Sequence, residues 1–201
     1  MPTTNNLMQL DDSKPPSLDG GLIIQKILAG DLGSTGGIAV NAEKGRTIER
    51  IAKIGDDNSV FDVAACILAQ TGQIAVSKLQ LLLYYSQAWS LVWDDMPAFS
   101  DRVLAGPNGP FIERVRTICL GLFQIDTLTL GASERVVPNI RQTCEIVVKH
   151  YNEYTSQELI FLAQSESPWK IARGHSVSST NPPISTDDML SFYRNLLNTN
   201  G

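Results

Sequence analysis

The amino-acid sequence predicts a mainly α protein. We expect a compact helical domain of about six helices over residues 58–198, with a short non-helical insert, and a partly flexible N-terminal extension over residues 1–57. Three observations favour this fold. From residue 58 onward, Ser or Thr repeatedly stands three residues before an acidic residue or Gln, which is the pattern of a helix capping box. The runs that follow carry apolar residues at helical spacing. Segments rich in Gly and Pro separate these runs.

The N-terminal extension has the composition of a flexible segment. Residues 1–20 are polar and interrupted by prolines, which predicts disorder. The glycine-rich stretch GDLGSTGG at 30–37 lacks the GK[ST] ending of a phosphate-binding loop, so a flexible turn is favoured. Residues 38–51 are consistent with a small hairpin that turns near Gly45.

Two helices are predicted at the start of the domain. Ser59 and Asp62 form the first capping-box pattern, and the apolar run behind them stops at Gly72, a residue that commonly ends helices. Ser77 and Gln80 form the second pattern, which predicts a helix from about residue 78 to residue 93.

The middle of the domain combines a loop and an amphipathic helix. Residues 94–109 contain several prolines and glycines and predict a loop, with a short strand around the sequence RVLA. Pro110 suits the first position of a helix over 111–122. The predicted apolar face of that helix consists of Ile112, Val115, Ile118, Cys119 and Leu122. Residues 125–132 are strand-like or irregular.

Three further segments complete the domain. A helix is predicted from about 138 to 152, with an apolar stripe made of Ile140, Cys144, Val147 and Tyr151. Thr155 and Glu158 form a capping box before a short helix, and a turn is predicted to enter at Pro168. Ser185 and Asp188 form the fourth box, before the last helix.

Composition and spacing disfavour several classes of function. The net charge of −5 argues against a protein that depends mainly on phosphate contacts. The three cysteines are far apart and the two histidines lack a partner at ligand spacing, so we expect reduced thiols in the core and neither a metal nor a cofactor. No run reaches the roughly 18 apolar residues of a membrane span, and the N-terminus does not resemble a secretory signal. A cytoplasmic protein is therefore expected.

The most apolar helix is the stretch SKLQLLLYYSQAWSL at 77–91. Its apolar residues surround almost the whole helix, which is typical of a central helix packed by several neighbours. Tyr84, Tyr85 and Trp89 carry polar groups that need partners when they are buried. These aromatic residues either hold the core together or line an exposed groove for a partner, and the helix alone does not distinguish the two interpretations.

Four sequence blocks resemble the Panacea domain family, the GepA-like and SocA-like proteins of bacteria and their mobile elements. The first is SKLQLLLYYSQAWSL, which is similar to the family's helix signature. AGPNGPFIERV at 105–115, LAQSESPWKIAR at 162–173 and ISTDDMLSFYRN at 184–195 follow in the family's order. This chain has Leu81 where the family usually has Lys, and Ala88 where it usually has Gly.

The resemblance implies neutralisation by binding rather than catalysis. Members of the family resemble antitoxins that bind a small toxin encoded by a neighbouring gene. A SocA-like member acts instead as a proteolytic adaptor that delivers its toxin to an ATP-dependent protease. Neither role requires a nucleophile, a metal or a cofactor.

The candidate partner-binding residues are those of the signature blocks that bear aromatic, amide, basic or turn-forming groups. They are Lys78, Gln80, Tyr84, Tyr85, Gln87, Trp89, Asn108, Gly109, Pro110, Pro168 and Trp169. The competing interpretation is that they only hold the helices together.

Three other functions are alternatives to neutralisation. A regulator that binds the DNA of its own operon is disfavoured by the acidic charge and by scattered basic residues. A phage or mobile-element protein that binds another host protein remains an alternative. An enzyme is not expected, because the acidic pairs Asp94–Asp95 and Asp187–Asp188 lie at helix ends, where carboxylates need no catalytic role.

Overall fold

A computed structural model of the chain describes residues 25–26, 59–174 and 181–200. In these ranges the protein is mainly α, as the sequence predicts. Apart from residues 25–26, the predicted flexible extension lies outside the described residues, as do the hairpin near Gly45 and the glycine-rich turn at 30–37.

The domain between residues 59 and 200 contains seven α-helices in its described part. They are α1 (Val60–Thr71), α2 (Val76–Trp93), α3 (Glu113–Ile118), α4 (Pro138–Tyr151), α5 (Ser156–Ser165), α6 (Ser167–Gly174) and α7 (Thr186–Asn200). A 3₁₀ turn covers Ser133–Arg135. Four short strands form two antiparallel pairs: β1 (Ile74–Ala75) with β4 (Gln124–Ile125), and β2 (Val103–Gly106) with β3 (Gly109–Ile112).

Helix α2 is the central helix of the fold. It packs against α1, α4, α5, α7 and β3, and every residue from Leu79 to Leu91 is buried. The prediction of a central helix is therefore confirmed. The helix is apolar on nearly all sides because it has neighbours on nearly all sides.

The predicted capping boxes have different outcomes. At α5 the box is complete: Thr155 accepts from the Glu158 amide, and the Glu158 carboxylate accepts from the Thr155 amide. At α1 the Ser59 hydroxyl accepts from the Phe61 amide. Asp62, however, accepts from the amide of Ala132, 70 residues away in the sequence, at 2.7 Å. This carboxylate therefore ties α1 to the segment before the 3₁₀ turn.

The prediction of a capping box at Ser77 is wrong. Helix α2 begins two residues earlier than predicted, at Val76, and its N-cap residue Ala75 offers no side-chain hydrogen bond. The Val76 amide donates instead to the carbonyl of Phe123 at 3.0 Å. A strand pair therefore positions the start of this helix, and Gln80 is free to bind another partner.

The prediction that Pro110 opens a helix is also wrong. Pro110 lies in β3, paired with Ala105, and β2 and β3 form a hairpin whose turn is Pro107–Asn108. Gly109 follows the turn with a φ of +100°, a conformation that favours glycine. The helix that follows is limited to Glu113–Ile118, because Gly121 has a φ of +82° and the chain leaves the helical path before it.

The predicted turn at Pro168 is instead the beginning of helix α6. Glu166 ends α5, and its carbonyl accepts from the Lys170 amide at 3.2 Å, so the same residue begins α6. Pro168 occupies the first turn of α6, where a missing amide hydrogen costs little. The α5–α6 corner therefore places Glu166 inside the domain.

None of the helices that the structure describes is long and apolar enough to cross a membrane.

Candidate protein-interaction site

Two glutamines of α2 form hydrogen bonds with backbone groups that are distant in the sequence. The Gln80 side chain accepts from the Ile112 amide at 2.8 Å and donates to the Ile112 carbonyl at 3.3 Å. Gln87 makes the same pair of bonds with the backbone of Phe99, both at 3.2 Å. Each amide side chain thus satisfies a buried peptide in the way that a neighbouring strand would. The glutamines join α2 to β3 and to the segment before β2.

The aromatic residues of the same helix surround a buried carboxylate. Tyr84 and Tyr193 donate to one oxygen of Glu166, at 3.0 and 2.6 Å. Tyr85 stacks on Tyr151 with ring centroids 4.1 Å apart, and its hydroxyl has no hydrogen-bond partner among the described residues. This cluster joins α2, α4, α7 and the α5–α6 corner.

Glu166 is the carboxyl group of this cluster, and its pKa is shifted. Burial raises its pKa to about 7, and the hydrogen bonds from the tyrosines oppose part of that rise. Burial likewise raises the pKa of Tyr84 and Tyr193 well above the usual value. Both tyrosines therefore remain protonated hydrogen-bond donors, and the cluster supports the fold from inside the protein.

Three other signature residues fix adjoining segments. Trp89 donates from its indole nitrogen to the Tyr151 hydroxyl at 3.0 Å and is fully buried. Lys78 donates to the Asn152 carbonyl at 2.7 Å, and burial lowers its pKa. Trp169 donates to the carbonyl of Gly106 at 3.2 Å, which attaches α6 to the hairpin.

A groove with a volume of about 400 Å³ opens beside the hairpin turn. We call it the hairpin groove. Its walls are the N-terminal turns of α2, the hairpin turn, the segment after α3 and one side of α5. The lining residues are Val76, Ser77, Gln80, Leu81, Gly106, Pro107, Asn108, Gly109, Pro110, Phe111, Arg116, Leu122, Phe123 and Ile160. Four of the predicted site residues, Gln80, Asn108, Gly109 and Pro110, therefore meet at this groove, while Pro168 is buried in α6 and does not line it.

Large apolar side chains stand exposed at one edge of the groove. Leu120, Leu122 and Phe123 expose 74%, 52% and 92% of their surface, and we call these three residues the apolar rim. The main chain at the rim is anchored, because the Phe123 carbonyl accepts from Val76 and β4 pairs with β1 directly after it. An exposed apolar patch on a fixed backbone is typical of a protein-binding surface.

The groove also has a distinct charge. Among its described lining residues none carries a carboxylate, although the whole chain has a net charge of −5. Arg116 supplies a guanidinium that lies 4.5 Å from the centre of the Phe111 ring and forms an ion pair with Glu113 at 2.7 Å. The groove is therefore an apolar surface bordered by an ion pair.

A second cavity, of about 310 Å³, lies between β2 and the start of α7. Its apolar walls include Phe99, Val103 and Met189, which are already buried within the domain. None of its lining residues is among the large exposed apolar side chains of the described residues, whereas Leu122 and Phe123 line the hairpin groove. The hairpin groove is thus the better candidate site.

The apolar rim was missed by sequence reasoning. Leu122 was assigned to the buried face of a helix over 111–122, and Leu120 and Phe123 were not considered. The signal that identifies them is Gly121, which interrupts the helical pattern inside the sequence CLGLFQI. Once the helix ends before Gly121, the apolar residues around it no longer face the core.

The described residues contain no group of three or more His, Cys, Asp or Glu side chains that could hold a metal ion. Comparisons with protein-family models, with curated proteins and with solved structures found no match to the chain. The resemblance of the four sequence blocks to the Panacea family therefore stays a prediction.

Proposed function

We propose that this chain is an antitoxin-like, non-catalytic protein that binds a cognate toxin and neutralises it. The observation that carries the proposal is the apolar rim, an exposed group of Leu and Phe side chains on anchored backbone beside a concave groove. The sequence resemblance to antitoxins of the Panacea type and the expected cytoplasmic location support the same function. The toxin is expected to be encoded by a neighbouring gene.

The expected occupant of the groove is an apolar segment of the partner protein. Burying the side chain of Phe123 stabilises a complex by roughly 1.5–3 kcal/mol, which is the range for contacts that dominate interfaces, and the half-buried Leu122 contributes less. Arg116 is already paired with Glu113, so we expect the contact to depend on the apolar rim rather than on a charge of the partner.

The test is co-expression of the full chain with the product of the adjacent open reading frame, followed by growth assays and co-purification. We expect the wild-type chain to restore growth and to recover a complex. Phe123→Asp places a charge in the centre of the contact, and we expect it to weaken binding at least about tenfold. The matched control is Leu130→Asp, which changes another exposed leucine that does not line the groove.

Two results would contradict the proposal. One is a toxic neighbour that the wild-type chain neither binds nor neutralises. The other is a self-association of the chain that Phe123→Asp abolishes, measured by light scattering, since the rim would then serve a second copy. The half-life of the toxin separates the two modes of action: direct inhibition leaves it unchanged, and delivery to an ATP-dependent protease shortens it.

A further inference from the structure

Two of the three cysteines face each other across the contact between α1 and α4. Cys66 lies on α1 and Cys144 lies on α4, 78 residues apart in the sequence, and both are free and buried. Arg141, one turn before Cys144 on α4, lies 3.9 Å from the Cys66 sulfur, so Cys144 is on the side of α4 that faces Cys66, and the pKa of each thiol responds to the other. The sequence analysis predicted cysteines in the core, and all three are buried, but their distant positions did not indicate that two of them meet.

The surroundings of the two sulfur atoms differ. Cys66 lies 3.9 Å from a guanidinium nitrogen of Arg141 and 3.7 Å from the amide nitrogen of Gln70. The hydrogen bond from Cys144, followed by the charge of Arg141 and the hydrogen bond from Gln70, lowers the pKa of Cys66 to about 7. The hydrogen bond to Cys66 and burial raise the pKa of Cys144. Cys66, which contacts Arg141 and Gln70, is therefore the more readily ionised thiol of the pair.

Arg141 is held in place above Cys66. Its other terminal nitrogen donates to the backbone carbonyls of Ser133 and Val136. Gln70, which contacts the same sulfur, is an exposed side chain on the last turn of α1. The Cys66 sulfur is thus in contact with a side chain that solvent reaches.

We propose that Cys66 and Cys144 form an oxidisable dithiol, which hydroperoxides convert into a disulfide that links α1 to α4. The Cys66 thiolate attacks a peroxide oxygen, the O–O bond breaks, hydroxide leaves and Cys66 becomes a sulfenic acid. The Cys144 sulfur then attacks the Cys66 sulfur, the S–O bond breaks and water leaves. The two thiols lose two electrons and two protons, and hydrogen peroxide is reduced to two molecules of water. This site does not depend on the proposed function.

The third cysteine is an internal control. Cys119 is also buried, yet burial raises the pKa of its thiol and neither of the other cysteines contacts it. A reaction that followed burial or accessibility alone would not single out Cys66 and Cys144. A reaction that follows the geometry described above leaves Cys119 reduced.

The experiment treats the folded, reduced full chain with hydrogen peroxide and then alkylates the remaining thiols in denaturant. We expect the wild type and Cys119→Ser each to lose two alkylatable thiols and about 2 Da of mass. Peptide mapping should recover a link between Cys66 and Cys144 that dithiothreitol reverses. In Cys144→Ser we expect a sulfenic acid at Cys66 that dimedone captures.

Three results would overturn the proposal. The first is a wild-type chain that keeps all three thiols alkylatable at peroxide concentrations that oxidise free cysteine. The second is a disulfide that contains Cys119. The third is capture of a sulfenic acid at Cys144 in Cys66→Ser, which reverses the assigned roles. The wild-type peptide map decides the question even where a serine variant fails to fold.

Discussion

Helix α2 contributes to two regions, the buried aromatic cluster and the hairpin groove, which begin about one helical turn apart. The large side chains of the cluster are buried, whereas those at the rim of the groove are exposed. Tyr84, Tyr85 and Trp89 are fully buried among α4, α7 and the α5–α6 corner. Phe123 is 92% exposed beside Val76, at the beginning of the same helix. The aromatic residues of the stretch 77–91 therefore hold the domain together, whereas the exposed Phe123, which is available to a partner, lies outside that stretch.

The two regions also differ in how their backbone is satisfied. Around α2, side chains pair with distant peptides: Gln80 with Ile112 and Gln87 with Phe99. At the apolar rim, the backbone is paired by strands β1 and β4, so the side chains are not needed to hold it. A region in which side chains satisfy buried polar groups tolerates few substitutions, and a region held by backbone pairing leaves its side chains free for binding.

The largest expected effect concerns Glu166, at the centre of the buried cluster. Its folded-state pKa of about 7 lies above the ordinary value of 4.5, so the folded state binds more protons between these values. The contribution of Glu166 to the free energy of unfolding should therefore be fully present below about pH 4.5 and should fall by roughly 3 kcal/mol as the pH rises through about 7. Glu166→Gln should remove this slope, measured by urea unfolding at a series of pH values.

A matched control for Glu166 is Glu158, the carboxylate of the capping box at α5. The hydrogen bond from the Thr155 amide lowers the pKa of Glu158, so its contribution is lost only as pH falls below the ordinary range. We expect Glu158→Gln to leave the slope between about pH 5 and about pH 7 unchanged. If wild type and Glu166→Gln had the same slope there, the carboxylate would not titrate inside the cluster.

A smaller effect on the free energy of unfolding is expected from the hydrogen bonds of Gln80. Gln80→Ala leaves the buried amide and carbonyl of Ile112 without partners, which should lower the free energy of unfolding by about 1–3 kcal/mol. Ser77→Ala is the matched variant. The sequence predicts that the Ser77 hydroxyl caps α2, whereas in the structure the Phe123 carbonyl accepts from the first amide of that helix. We expect Ser77→Ala to change stability by less than about 0.5 kcal/mol in the same urea titration. A larger loss in Ser77→Ala than in Gln80→Ala would restore the capping box.

The periodicity of apolar residues predicted two kinds of helix: those packed on one face, such as α4, and the one packed on nearly all sides, α2. Helix α4 was placed within a residue of its observed ends, because its stripe of Ile140, Cys144 and Val147 faces the core. The central position of α2 followed from its lack of a polar face. These features depend on the pattern of burial, which a single sequence carries directly.

The segments that were misassigned depend on contacts between distant residues. Pro110 satisfies the local rule for a helix start, but pairing with Ala105 in the hairpin overrides it. Glu166 carried no sequence signal of its role, since its environment comes from Tyr84 and Tyr193 on two other helices. Of the residues that line the hairpin groove, Gln80 and residues 108–110 were predicted as candidates, whereas the hairpin itself and the apolar rim were not.

The smallest expected effect on stability is the most informative about the rim. Phe123 contributes its backbone to the contact with α2 but little of its side chain to the core, so Phe123→Ser should change the free energy of unfolding by less than about 0.5 kcal/mol. Ile125, two residues along in β4, is buried, and Ile125→Ser should cost about 2 kcal/mol or more in the same urea titration. A loss in Phe123→Ser as large as in Ile125→Ser would mean that the rim packs against the domain. Equal stability of Phe123→Ser and wild type, together with loss of partner binding in Phe123→Asp, would mean that this large exposed side chain serves recognition, because the fold does not require it.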